Sequence, residues 1–187
     1  TGGETNCGWV MPVWSSSTTD GTAFSPSEAY SPSARPRLRV RWVPAGTALA
    51  SFRQGVNGYT GAQDTRIREN APATVFATVT TMYSDWAVSS ASDNEHVLLR
   101  FDNIVGTGAG QIPPGARIDA AVRDLASVGG NAMGDGGQFF TLLQPWQDTT
   151  STWNWWVDGI QADGNEAATT PTAAAGNASC APNVQGA

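Results

Sequence analysis

The densest group of metal-capable oxygens in the chain lies in residues 158–166, Asp-Gly-Ile-Gln-Ala-Asp-Gly-Asn-Glu. Asp158, Asp163, Asn165 and Glu166 there bring hard oxygen donors onto one glycine-punctuated loop, the donor type calcium requires. The spacing is not that of an EF-hand, and no helical pattern flanks it. The same side chains also suit a solvated turn, in which Asp and Asn bond their own backbone. The sequence leaves both uses open. Asp64 and Asp85 offer further oxygens from other loops. A second chemistry is carried by Trp153, Trp155 and Trp156, whose flat apolar faces suit stacking on sugar rings. Their competing use is core packing. A third is the alternation of Arg35, Arg37, Arg39 and Arg41, which gives a positive stripe fit for an anionic polysaccharide or for pairing with acids on a neighbouring strand.

Catalytic patterns are scarce. His96 is the single histidine, and it reads as a structural residue at the start of a strand. Neither a G-x-S-x-G elbow nor an H-E-x-x-H zinc motif is present. The 16 acidic residues permit many glycosidase-like carboxylate pairs, but no spacing selects one. All 10 basic residues are arginine. The absence of lysine excludes Schiff-base chemistry, a Walker-type phosphate loop and a Lys–Asn isopeptide crosslink. The expectation is a chain that is not an enzyme and has no catalytic residues.

The elements that must position these groups read as strands. Leu38, Val40 and Trp42 alternate with the arginines in residues 35–43, a half-buried strand with a charged outer face. Residues 75–83 alternate Val75, Ala77, Val79 and Tyr83 against a threonine face. Val97, Leu99 and Phe101 share one face of residues 96–104, and Ile118, Ala120 and Val122 one face of residues 116–126. Residues 139–144 read as a continuous buried strand, and residues 9–14 as a further candidate. Asp20-Gly21, Asn57-Gly58, Pro113-Pro114-Gly115, Gly129-Gly130, Asp135-Gly136-Gly137, Asp158-Gly159 and Asp163-Gly164 punctuate these runs as turns. Residues 44–51 read as a linker, and residues 167–175 as an extended Ala/Thr/Pro-rich surface segment. Many strands separated by turn chemistry predict an all-β, jelly-roll-like β-sandwich.

The 187 residues with 40% hydrophobic content suffice for one such domain. A net charge of -6 disfavours nucleic acid as a partner, and no apolar run is long enough to cross a membrane. The chain starts at Thr1 without a leader, which suggests a removed signal segment or a piece of something longer. Ser, Thr, Gly, Pro and Trp richness without lysine suggests an extracellular, secreted or surface protein. In that setting Cys7 and Cys180 favour a disulfide over two buried thiols. Asn177-Ala178-Ser179 is a glycosylation sequon.

Two blocks carry a resemblance. The first holds Phe52-Arg-Gln-Gly-Val-Asn-Gly-Tyr-Thr-Gly-Ala-Gln-Asp64-Thr, Leu98-Leu-Arg-Phe-Asp-Asn103, Gln111-Ile-Pro-Pro-Gly-Ala116 and residues 153–166. The second holds Gly8-Trp9-Val10, Asp20-Gly21, Ser27-Glu28 and Arg35-Pro36-Arg37-Leu38-Arg39-Val40. Together they resemble the DNRLRE-type domains, extracellular bacterial β-sandwich modules related to carbohydrate-binding modules. In that family the block like residues 52–166 comes first and the block like residues 8–43 closes the domain. Here the order is reversed. The resemblance therefore implies a main body, residues 52–187, that lacks its last strands, and a segment, residues 1–43, that completes a sandwich. Completion within the same chain would make a circular permutant. Completion of the next subunit by strand addition would make a head-to-tail homopolymer, and the family's use of such linkers between modules favours it. The expected function is thus a non-enzymatic subunit of an extracellular fibre, with a monomeric carbohydrate-binding module as the alternative. In family order Cys180 and Cys7 would stand about fourteen residues apart in one module, which implies a disulfide across the junction.

Overall fold

The computed structural model describes residues 6–12, 22–43, 48–84, 94–128 and 138–171. Asp85, Asn177 and Cys180 lie outside these residues. The chain is an all-β sandwich built from antiparallel sheets. The larger sheet has the order β10-β9-β1-β7-β5, formed by β1 (Trp9–Met11), β5 (Ala62–Arg68), β7 (Glu95–Phe101), β9 (Phe140–Leu142) and β10 (Ala167–Pro171). The smaller has the order β4-β3-β8, formed by β3 (Arg37–Val43), β4 (Ala48–Arg53) and β8 (Arg117–Asp124). A separate ribbon pairs β2 (Thr22–Phe24) with β6 (Met82–Ser84).

The core follows from strand alternation, which sends successive side chains to opposite faces. Leu38, Val40, Trp42, Ala50 and Phe52 of the smaller sheet meet Ala62, Leu99 and Phe101 of the larger. The other face of the larger sheet is also covered. There Val10, Ile67 and Leu98 pack with Cys7, Trp146, Trp153, Trp156 and Ile160, the last three contributed by a 3-10 turn (Trp153–Trp156) and the loop after it. Covering both faces explains why β7 is buried at every position and why its sequence runs Val-Leu-Leu rather than alternating. Full burial of each such aliphatic side chain contributes about 1.5–3 kcal/mol.

Segment 6–43 enters both sheets at their centres. β1 lies between β9 and β7, with Trp9 opposite both Thr141 and Leu99. β3 lies between β4 and β8. Gly8, just before β1, has φ +72°, and a Cβ there would overlap the Leu99 carbonyl oxygen. Only glycine lets the backbone pass so close to β7. Asn57 (φ 52°) and Gly58 (φ 79°) join Val56 to Tyr59 in the left-handed pair that a tight two-residue turn requires.

Several strand expectations need correction. Residues 48–51 are not linker: Ala48–Arg53 pairs with β3 from Arg37↔Arg53 to Trp42↔Ala48, because Ala50 and Phe52 alternate inward and become buried. Most of residues 75–83 is not strand. Pro72 lies in a run of turns, Ala71 N–H to Arg68 and Thr74 N–H to Ala71, and Phe76 leaves the chain axis to pack under the Arg66 guanidinium, 4.7 Å from its ring centre. β8 forms, but with the opposite face inward. Arg39↔Val122 and Arg41↔Ala120 put Val122 and Ala120 beside the arginines, and a bulge between Arg41 and Trp42 changes parity so that Ile118 stands opposite Trp42. Arg123 takes the inward position, its guanidinium 4.7 Å from the Trp9 ring and 4.4 Å from the Phe139 ring. Burial lowers its pKa to about 10. β5 is a strand that its sequence hides, because Gln63, Asp64, Arg66 and Arg68 interrupt the apolar pattern.

Candidate functional site

The nominated groups do not converge on one site. In the 158–166 loop the Asp163 carboxylate turns back on its own backbone: Oδ1 accepts the N–H groups of Asn165 at 2.8 Å and Glu166 at 3.1 Å, and Oδ2 accepts Asn165 Nδ2 at 2.9 Å. These bonds hold its pKa below the usual carboxylate range. Glu166 Oε2 accepts the Gln161 N–H at 2.7 Å. The loop has the hydrogen bonding of a solvated Asx turn. Ile160, within the loop, donates its N–H to His96 Nδ1 at 3.2 Å. His96 stands opposite Ile67, whereas Asp64 stands opposite Leu99. By strand parity Asp64 therefore points to the other face of the larger sheet from the one this loop covers, and it is a strand residue rather than a loop residue. Asp64 and the Asp158, Asp163, Asn165 and Glu166 loop do not share a ligand set. Among the described residues no three His, Cys, Asp or Glu side chains form a metal cluster.

The tryptophans separate as well. Trp153 and Trp156 are core residues, 6% and 4% exposed, while Trp155 is half exposed. Trp153 packs its ring 5.0 Å from His96, and Trp155 meets Trp156 edge-on at 4.9 Å. A three-ring sugar platform is not formed. Two rings are needed to cover the outer face of the larger sheet, and Trp155 alone faces water. The arginine stripe is paired within the chain: Arg37 and Arg39 both reach Asp124, at 2.6 and 2.8 Å, and Arg41 reaches Asp119 at 2.8 Å. Arg35 donates to the carbonyls of Ala29 and Gln54. Cys7 is a buried free thiol, its pKa raised by burial, and its carbonyl accepts the Trp146 indole N–H at 2.7 Å. Among the described residues no disulfide is seen; Cys180 lies outside them. His96 is fully packed, and burial lowers its pKa to about 3.

What the fold does bring together is a pair of carboxylates that spacing did not single out. After β2, a turn closed by Ala29 N–H to the Pro26 carbonyl carries Ser27 and Glu28, and Ser25 N–H to Ala126 pins its start. Ser27 is buried and links both acids. Its N–H donates to Asp64 Oδ2 at 2.8 Å, and its hydroxyl donates to Glu28 Oε1 at 2.6 Å. Asp64 is 2% exposed, and its Oδ1 is buried without a hydrogen-bond partner. Burial first, and then the charge of Glu28, push its pKa up to about 7 against the lowering effect of the Ser27 bonds. Glu28 itself is exposed, so the pair opens to solvent. Glu28 was legible only as part of the Ser27-Glu28 motif, far from Asp64 in sequence.

Comparison of the chain with protein-family models, curated proteins and solved structures gives no match.

Proposed function

We propose that the chain is a non-enzymatic, extracellular structural protein whose subunits assemble head to tail into a fibre by β-strand complementation. One observation carries this reading: the N-terminal segment supplies the central strand of each sheet. Without β1, β9 and β10 lose their link to β7, and without β3, β4 and β8 lose each other. The segment is joined to the rest of the sandwich only through residues 44–47, between β3 and β4. The same pairings are available to a neighbouring subunit's segment, because β1 and β3 are held by ladder pairing to β7, β9, β4 and β8. Exchange through a short connection is an established route to assembly, and a head-to-tail register that does not close gives a filament. The permuted order of the DNRLRE-like blocks supports the same reading, and a disulfide between Cys7 and Cys180 would lock the junction.

Size and morphology test it. Filaments in negative-stain micrographs are the expected result. A monomer near the chain mass of 19.5 kDa supports instead a permuted, monomeric carbohydrate-binding module, for which Trp155 is the exposed ring of the nominated three.

A further inference from the structure

We infer that Glu28 and Asp64 form a calcium site at the rim of β5, distinct from the 158–166 loop. Three observations place it there. First, the two carboxylates are held together by one buried serine, which donates its N–H to one and its hydroxyl to the other. Second, Asp64 Oδ1 is a buried carboxyl oxygen with no hydrogen-bond partner. A buried carboxylate is retained where it is paired, hydrogen-bonded or bound to a cation, and this one has an unused oxygen. Third, no ion pair among the described residues reaches either acid. Arg37, Arg39, Arg41, Arg66, Arg68 and Arg100 pair elsewhere. Arg35, the arginine nearest Glu28 in this segment, has its Nε and Nη1 on carbonyls.

The donor chemistry selects the ion. Both ligands are hard oxygens, which suit calcium or magnesium rather than zinc or copper. Cys7 and His96, the soft and borderline donors nearby in the fold, belong to the other face of the larger sheet. Two carboxylates from a turn and a strand, with water completing the shell, can hold either hard dication; calcium's flexible shell of oxygens accepts an irregular set more readily than magnesium's near-ideal octahedron. The exposed Glu28 gives the ion a way in, and Asp64 gives it a fixed anionic floor. A dication there removes the repulsion between the two acids and ties the turn after β2 to β5.

The test uses the full chain, stripped with chelator and titrated with calcium chloride near neutral pH while melting temperature and heat of binding are followed. The expected result is a saturable rise in melting temperature, with a Kd in the range of extracellular calcium modules, ~10⁻⁴–10⁻³ M. Glu28→Gln and Asp64→Asn should each weaken binding by at least about tenfold, and Asp163→Asn should leave it unchanged. Glu28→Gln is a surface change, so it remains informative if Asp64→Asn folds poorly. Absence of any saturable calcium response in the parent chain overturns the inference. So does a response that survives Glu28→Gln, or one that is lost with Asp163→Asn instead. Because the readout is calcium affinity, it stands or falls separately from filament formation.

Discussion

Asp64 and His96 sit on neighbouring strands, and burial shifts them in opposite senses. The carboxyl of Asp64 rises to about 7 from an ordinary value of 3.8. Between those values the folded state holds the extra proton, so this group makes stability fall as pH rises from about 4 to about 7. The imidazole of His96 falls to about 3 from 6.5. There the unfolded state holds the extra proton, so stability rises with pH across that window and is lost toward acid. In calcium-free buffer Asp64→Asn should therefore gain stability over the parent near pH 8, on the order of a few kcal/mol, and match it near pH 3. Urea denaturation at the two pH values checks this; an equal loss at both would mean the carboxylate has a purely structural role. Trp146 gives a second residue-scale prediction. Its indole N–H is bonded to the buried Cys7 carbonyl at 2.7 Å, and replacement by Phe strands that carbonyl. A loss of about 1–3 kcal/mol is expected, whereas Trp155→Phe, on the exposed ring, should stay within about 0.5 kcal/mol. Thermal denaturation of the two variants separates them.

At the scale of elements, β7 and β8 mark the limits of reading strands from pattern. β7 was legible because Val97, Leu99 and Phe101 share one face of residues 96–104. That it is buried on both faces depended on Trp146, Trp153, Trp156 and Ile160 crossing over the outer face, which no local pattern announces. β8 was legible as a strand but not in orientation. Its sequence favours the face of Ile118, Ala120 and Val122 over that of Ala121 and Arg123, yet Ala121 and Arg123 stand opposite Val40 and Leu38. The choice went to the pairing that lets Asp124 neutralise Arg37 and Arg39 while Trp9 and Phe139 receive the Arg123 guanidinium. A direct check is to place one hydroxyl on each face. Val40→Thr puts it between the sheets without a designed partner and should cost about 1–3 kcal/mol. Val122→Thr puts it beside the arginines and should change stability by no more than about 0.5 kcal/mol. Equal costs in denaturant titrations would reject the assigned face.

At the scale of the whole molecule, the question is whether the N-terminal segment serves its own subunit or the next. The connection between β3 and β4 is the control point. Deleting residues from 44–47 should prevent the hairpin from closing and shift the chain toward higher assemblies, because a connection too short to reverse direction forces exchange. Inserting a flexible Gly-Ser stretch there should shift it toward monomer, since closing the longer loop costs little extra entropy. Light scattering after size separation reads both, and insensitivity to the connection would count against strand exchange. Non-reducing electrophoresis probes the cysteines independently. A ladder indicates intermolecular Cys7–Cys180 bonds, a single fast band an internal bond, and two thiols titratable in denaturant a reduced protein.

The sequence by itself determined that this chain is an all-β sandwich, because period-two alternation in residues 35–43, the shared face of Val97, Leu99 and Phe101 in residues 96–104 and the Asn57-Gly58 and Pro113-Pro114-Gly115 turns are local signals fixed by backbone sterics and side-chain direction. It also marked Ser27-Glu28 and Asp64 as motif residues, but only as separate ones. Tertiary structure decided that they meet: the turn after β2 folds onto β5, and a single serine bonds both acids. It likewise decided that Trp153 and Trp156 cover a sheet and that Asp163 closes a turn. Each of these outcomes rests on pairing between residues distant in the chain, where burial and partner supply, rather than residue type, determine what a carboxylate or an indole can do.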